Sequence, residues 1–270
     1  MAKNGSILVV GSINTDMVVR AGRLPGPGET VLGHSFTTTP GGKGANQAAA
    51  VARLGGKCTL IGRLGTDTFG KTIRSALIAE GINCQGITLT DQVATGVALI
   101  TVDAAGENAI VVDSGANALA NADDDIFSHA DFFEEAGIVI VQLELPLPAV
   151  QAAVRMAKRH NCRVILDPAP VPAGRPLPPE LFNVDVITPN IVEACQLTGR
   201  QIGSAKGLRG IAGDLIARGA RAAVITLGHQ GALVATADGE MTRLHPHRID
   251  LVNSTAAGDA FTGALAVGLS

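Results

Sequence analysis

The sequence contains no Trp and no Tyr, and aromatic residues make up only 3% of it. That scarcity removes the stacking platforms on which single-stranded nucleic acids are held. Charge of either sign is also in short supply: 21 Lys and Arg face 24 Asp and Glu, for a net −3. A balance so close to neutral gives no field to draw in nucleic acid or an anionic membrane. The four cysteines, Cys58, Cys84, Cys162 and Cys195, are scattered and form no CxxC pair. This spacing excludes a disulfide framework and a zinc site, and suits buried thiols in a reducing compartment. No apolar run reaches the ~18–20 residues of a membrane span. Met1-Ala-Lys-Asn-Gly5 runs directly into a strand-like segment, so no signal peptide is expected. Together these absences predict a soluble cytoplasmic protein with neither nucleic-acid nor membrane partners. What the sequence does have is apolar content, 46% of 270 residues. That suffices for one large α/β domain, alone or with a small appendage.

Short Val- and Ile-rich runs at Ile7–Val10, 58–61, Ile138–Val141, 164–166, Val186–Ile187 and 223–225 predict strands buried on both faces. Helical patterns lie between them at 44–54, 69–80, Leu147–Arg159 and Gly207–Ala217. This alternation predicts a doubly wound, mostly parallel sheet flanked by helices. Residues 16–40 and 95–113 break the rhythm, the second with a turn at Ala105-Gly106-Glu107-Asn108 that predicts a hairpin. These two segments are expected to form a small antiparallel β-sheet beside the main one.

Ligands of open α/β sheets bind beyond the carboxyl ends of the strands. Polar residues gather at five such ends: Asn14 and Asp16; Gln142 and Glu144; Asp167; Thr188 and Asn190; Thr226 and Gly228. Asn14 and Asp16, two apart on extended chain, point to one side. An amide paired with a carboxylate suits the neighbouring hydroxyls of a polyol, although a polar turn would use the same residues. Pro40-Gly41-Gly42-Lys43-Gly44-Ala45-Asn46 is a glycine-rich turn entering a helix, with Lys43 and Asn46 on one face. It matches neither the P-loop nor the dinucleotide fingerprint. Asn190 and Glu193 share a face at another helix start, where an ordinary cap competes with phosphate and Mg²⁺ contacts. In Ser254-Thr255-Ala256-Ala257-Gly258-Asp259-Ala260, small residues leave backbone N–H groups open at a helix start, an anion site by geometry and dipole. Asp259 in the first turn can take a proton from an attacking hydroxyl while those amides meet charge on a phosphoryl group. A carboxylate favouring the helix dipole is the alternative there.

Over essentially the whole chain from Ser6, these segments resemble the ribokinase family of carbohydrate kinases. The resemblance rests on Gly11-Ser-Ile-Asn14-Thr-Asp16, Pro40-Gly-Gly-Lys43-Gly-Ala-Asn46, Thr188-Pro-Asn190-x-x-Glu193, Thr226-Leu-Gly228 and Thr255-Ala-Ala-Gly258-Asp259. It implies phosphorylation of D-ribose at O5 by ATP, with Asp259 as the base. It also implies that Asn14, Asp16, Gly42, Lys43, Asn46 and Glu144 hold the sugar and that Ala256, Ala257 and Gly258 form the anion hole. Asn190, Thr226 and Gly228 would contact ATP, and Glu193 would order Mg²⁺ through water. Residues 16–40 and 95–113 would form a lid that closes over the sugar and builds a homodimer. A potassium site at Asn253 and Thr255 would be weakened, because the family usually carries Asp where Asn253 stands. The family also continues past the helix that begins near Asp259, so the C-terminal part of the fold is expected to be absent from residues 1–270. Two alternatives stay open: another sugar or nucleoside kinase of the family, and a sugar-binding protein inactivated by that truncation.

Overall fold

The computed structural model describes residues 5–201, 207–248 and 255–270. Their strands are β1 (Ile7–Val10), β2 (Asn14–Ala21), β3 (Gly33–Gly41), β4 (Cys58–Gly65), β5 (Asn83–Thr90), β6 (Gly96–Val102), β7 (Asn108–Asp113), β8 (Ile138–Val141), β9 (Arg163–Leu166), β10 (Val186–Ile187), β11 (Ala222–Thr226), β12 (Ala232–Thr236) and β13 (Met241–Leu244). The helices are α1 (Lys43–Arg53), α2 (Thr68–Ala79), α3 (Ala130–Glu135), α4 (Leu147–Arg159), α5 (Ile191–Thr198), α6 (Gly207–Ala217) and α7 (Ala257–Leu269).

Nine strands form one sheet in the order β13-β12-β11-β10-β9-β8-β1-β4-β5. It is parallel from β5 across to β11 and turns antiparallel at β12 and β13. The central strands are buried end to end, as their unbroken apolar runs require. One apolar cluster, with Phe133, Val150, Leu166 and Ile211, covers one face of the sheet. A second, with Ile13, Val51, Leu60 and Leu77, covers the other. The chain runs from β1 outward to β4 and β5, then returns to the opposite side of β1 at β8. That reversal opens a crevice at the carboxyl ends of β1 and β8, the place where doubly wound sheets bind ligands.

A second sheet, in the order β3-β2-β6-β7, stands over this end of the molecule. It is built from the two segments that broke the sequence rhythm. The expected all-antiparallel arrangement needs correction at its centre: β2 and β6 pair in parallel, between two antiparallel outer pairs. β2 follows β1 and β6 follows β5, two parallel strands of the main sheet, so both enter the small sheet running the same way.

Candidate active site

The crevice is lined from both sheets. Beyond β1, Asn14 is 4% exposed and its Oδ1 accepts from Asn117 Nδ2 at 2.8 Å. Asp16 follows on β2, half-buried, and no described residue donates a hydrogen bond to its carboxylate. Burial pushes the Asp16 carboxyl up to about 6, with the charges of Glu144 and Asp259 adding to the effect.

The glycine-rich turn brings α1 against this strand end. Gly42 adopts φ +88° in a space where a Cβ would lie 2.8 Å from both Asn14 N and Ser12 O, so any side chain would force the turn outward. The backbone N–H of Lys43 then donates to Glu144 Oε2 at 3.1 Å, and Ser12 Oγ donates to the same oxygen. Lys43 Nζ reaches Asp167 at 3.3 Å and Asp259 at 3.6 Å. Burial works against the Lys43 ammonium, but Asp167, Asp259, Glu144 and Glu193 outweigh it and hold Lys43 firmly charged.

α7 packs so closely on α1 that a Cβ on Gly263 would lie 2.6 Å from Ala50 Cβ. This closeness delivers Asp259, 5% exposed, to the amides of α1. Asn46 Nδ2 donates to Asp259 Oδ2 at 3.1 Å, and Gln47 Nε2 donates to Asp259 Oδ1 at 3.1 Å. Gln47 Nε2 also donates to Asp167 Oδ2 at 2.8 Å, while its own Oε1 accepts from Gln142 Nε2 at 2.7 Å. Burial pushes the Asp167 carboxyl up to about 7, with Lys43 opposing and Asp259 and Glu193 reinforcing. Asp259 is thus held by two hydrogen bonds and one ion pair at the first turn of α7. Ala256, just before that helix, sits in the left-handed region at φ +58°. This is an uncommon conformation for a residue with a Cβ, and the N–H groups of Ala257 and Gly258 open the helix behind it.

The remaining expected residues lie further along the same sheet edge. Asn190 and Thr226 are joined by a parallel bridge, and Gly228 follows with φ +57° on the exposed rim. Asn190 and Glu193 form a capping box: Glu193 N donates to Asn190 Oδ1 at 2.9 Å, and Asn190 N to Glu193 Oε2 at 2.8 Å. Thr255 is exposed at the start of α7, whereas Asn253 and Ser254 lie outside the described residues. Among the described residues no group of three or more His, Cys, Asp or Glu forms a metal-ligating cluster. Gln47 and Asn117 escaped the sequence reading. Gln47 sits among alanines, its partners more than 90 residues away, and Asn117 lies in a short irregular segment with nothing local to mark it.

A model of the pfkB family of carbohydrate kinases matches residues 4–270. The bifunctional ribokinase/ribose-5-phosphate isomerase A of Fructilactobacillus sanfranciscensis is 40% identical over 262 residues; the match covers 96% of this chain and 48% of that protein. The ribokinase of Haemophilus influenzae is 37% identical over 265 residues, covering 98% of this chain and 85% of that one. The structure of Arabidopsis thaliana ribokinase complexed with ribose and ATP superposes with a TM-score of 0.89 at 31% identity, covering all of this chain and 86% of the other.

Proposed function

This chain belongs to the pfkB family of carbohydrate kinases, and from that premise we propose that it transfers the γ-phosphoryl group of ATP to O5 of D-ribose, giving D-ribose 5-phosphate and ADP. The observation that carries the proposal is the meeting of Lys43 and Asn46 with the buried carboxylate of Asp259, at the start of a helix with open amides, beside a crevice bordered by Asn14, Asp16 and Glu144. Asp16 is a carboxylate without a protein donor, which suits sugar hydroxyls as the missing donors. The small sheet acts as the lid, with Asp16 and Val112 on the face turned to the crevice.

Asp259 takes the proton of the attacking hydroxyl, and Asn46, Gln47 and Lys43 hold its carboxylate in line. The amides of Ala256, Ala257 and Gly258 receive the charge that develops on the transferred group. Lys43 Nζ, 3.6 Å from Asp259, sets a positive charge beside the carboxylate. Asn190, Thr226 and Gly228 border the nucleotide. Bound Mg²⁺ would neutralise phosphate charge; it typically keeps several waters, so the single carboxylate of Glu193 fits it better than an all-protein cage would. Activation by K⁺ would be weak, because the neutral amide of Asn253 supplies less charge to a cation than a carboxylate. The outer face of the lid joins two copies into a homodimer.

The test is an ADP-release assay over ribose, 2-deoxyribose, fructose and adenosine, with and without K⁺, on the wild type and Asp259→Ala. Ribose is expected to give the highest kcat/KM, with little change on adding K⁺. Asp259→Ala is expected to lower kcat by about 10²–10⁴-fold while sugar still binds. A better acceptor in the panel, or near-normal turnover by the variant, would overturn the assignment.

A further inference from the structure

Asn117 is 1% exposed and borders a cavity of about 250 Å³ together with Ser12, Asn14 and Glu144. Its side chain is oriented by backbone groups alone. Ile13 N donates to Asn117 Oδ1 at 2.9 Å, and the two N–H groups of Asn117 Nδ2 are shared among Ile13 O at 3.1 Å, Ser114 O at 3.0 Å and Asn14 Oδ1. A backbone N–H only donates and a carbonyl only accepts, so the amide of Asn117 has one permitted orientation. The atom it turns to Asn14 is therefore a donor. Asn14 must answer with its oxygen, at 2.8 Å, and its NH₂ group is left for the cavity. No described residue accepts a hydrogen bond from that NH₂, which is not among the buried unpaired atoms.

The contact is closed from the other side by Gly96. A Cβ there would lie 2.3 Å from Asn14 Oδ1 and 2.5 Å from Asn117 Nδ2, so the amide pair occupies the space a side chain would fill. The segment bearing Asn117 is anchored in turn, because Asn121 N donates to Asp125, itself paired with the buried Arg63 at 2.8 Å.

We infer that Asn117 is a positioning residue that fixes the hydrogen-bond polarity of the sugar site, making Asn14 a donor beside the acceptors Asp16 and Glu144. A hydroxyl meeting Asn14 accepts, and the hydroxyls meeting Asp16 and Glu144 donate. This inference rests on the sugar-kinase proposal above.

The test uses Asn117→Asp, which keeps the shape but turns an acceptor toward Asn14, and Gly96→Ala, which wedges the pair apart without altering either amide. Both are assayed with whichever sugar proves the best acceptor of the wild type. Failure on ribose would then count against the proposed substrate and leave this comparison intact. In both variants KM for the sugar is expected to rise about 10- to 100-fold, the scale of discrimination when a site's hydrogen bond is lost or reversed. KM for ATP should stay within about twofold, and kcat should fall much less than kcat/KM. A sugar KM within twofold of wild type in either folded variant overturns the inference. So does an equal rise in both KM values, which would mark Asn117 as a strut of the fold. If Asn117→Asp does not fold, Gly96→Ala decides alone.

Discussion

At the scale of single residues, Asp16 combines two properties that pull against each other. The crevice buries it beside Glu144 and Asp259, and its carboxyl rises from 3.8 to about 6. A folded-state value above the unfolded one means that the folded protein binds this proton more tightly. The stabilisation is complete below about pH 4 and is lost as pH rises through about 6. The ionised form, the one proposed to accept from sugar hydroxyls, therefore weakens the fold at neutral pH. Asp16→Asn is expected to raise Tm at pH 8 by ~2–4 °C, with the gain disappearing near pH 4 in calorimetric scans. In the wild type, sugar KM should climb as pH falls below about 6, and in the variant it should be high throughout. A lower Tm for the variant at pH 8, or a wild-type sugar KM flat from pH 5 to 8, would remove Asp16 from this role. Asp16 was legible in the sequence because it lies two residues from Asn14 on one strand. Gln47, whose amide donates to Asp167 and Asp259 across more than 100 residues, was not. Such a residue is revealed only when two helices meet.

Among the elements, α5 carries a competition between structure and chemistry at its first turn. An ordinary cap is the alternative use of Asn190 and Glu193, and a reciprocal capping box is what forms. The box does not exclude a nucleotide role, since the bridge to Thr226 places Asn190 on the sheet edge. Two substitutions separate the roles. Asn190→Ala removes the cap and should cost about 1 kcal/mol of stability. Asn190→Asp keeps an accepting oxygen for Glu193 N but sets a negative charge toward phosphates. Its Tm should stay near wild type while KM for ATP rises several-fold. An unchanged ATP KM in Asn190→Asp would leave the residue as a cap alone. The central strands were readable as short apolar runs because both their faces are covered. β5 and β13 escaped that pattern for the opposite reason: they lie at the two edges of the sheet, and exposed residues interrupt their apolar ones. The parallel pairing of β2 with β6 was equally invisible, since strand direction follows from where each strand leaves the main sheet.

For the whole molecule, the register of the small sheet gives its two faces different residues. Directly paired residues share a face, and successive residues alternate. Met17 pairs with Thr38 and Leu99, Leu99 with Val111, and Val19 with Phe36. One face therefore carries Val19, Phe36, Leu99 and Val111, which are 36%, 61%, 54% and 68% exposed. The other carries Asp16, Ala98 and Val112 and overlooks the crevice. A bare apolar face of this kind is unusual on a free surface and suits a second copy of the chain. Light scattering should find the wild type dimeric, and Leu99→Glu, at the centre of that face, should shift it to monomer. Ile110→Glu places the same charge on the opposite face and should leave the dimer intact. Because Asp16 lies on β2 of this same sheet, the monomeric variant should also bind sugar several-fold more weakly while its ATP KM holds. A monomeric wild type would dismiss the lid-to-lid dimer. A dimer insensitive to Leu99→Glu would move the interface to another surface.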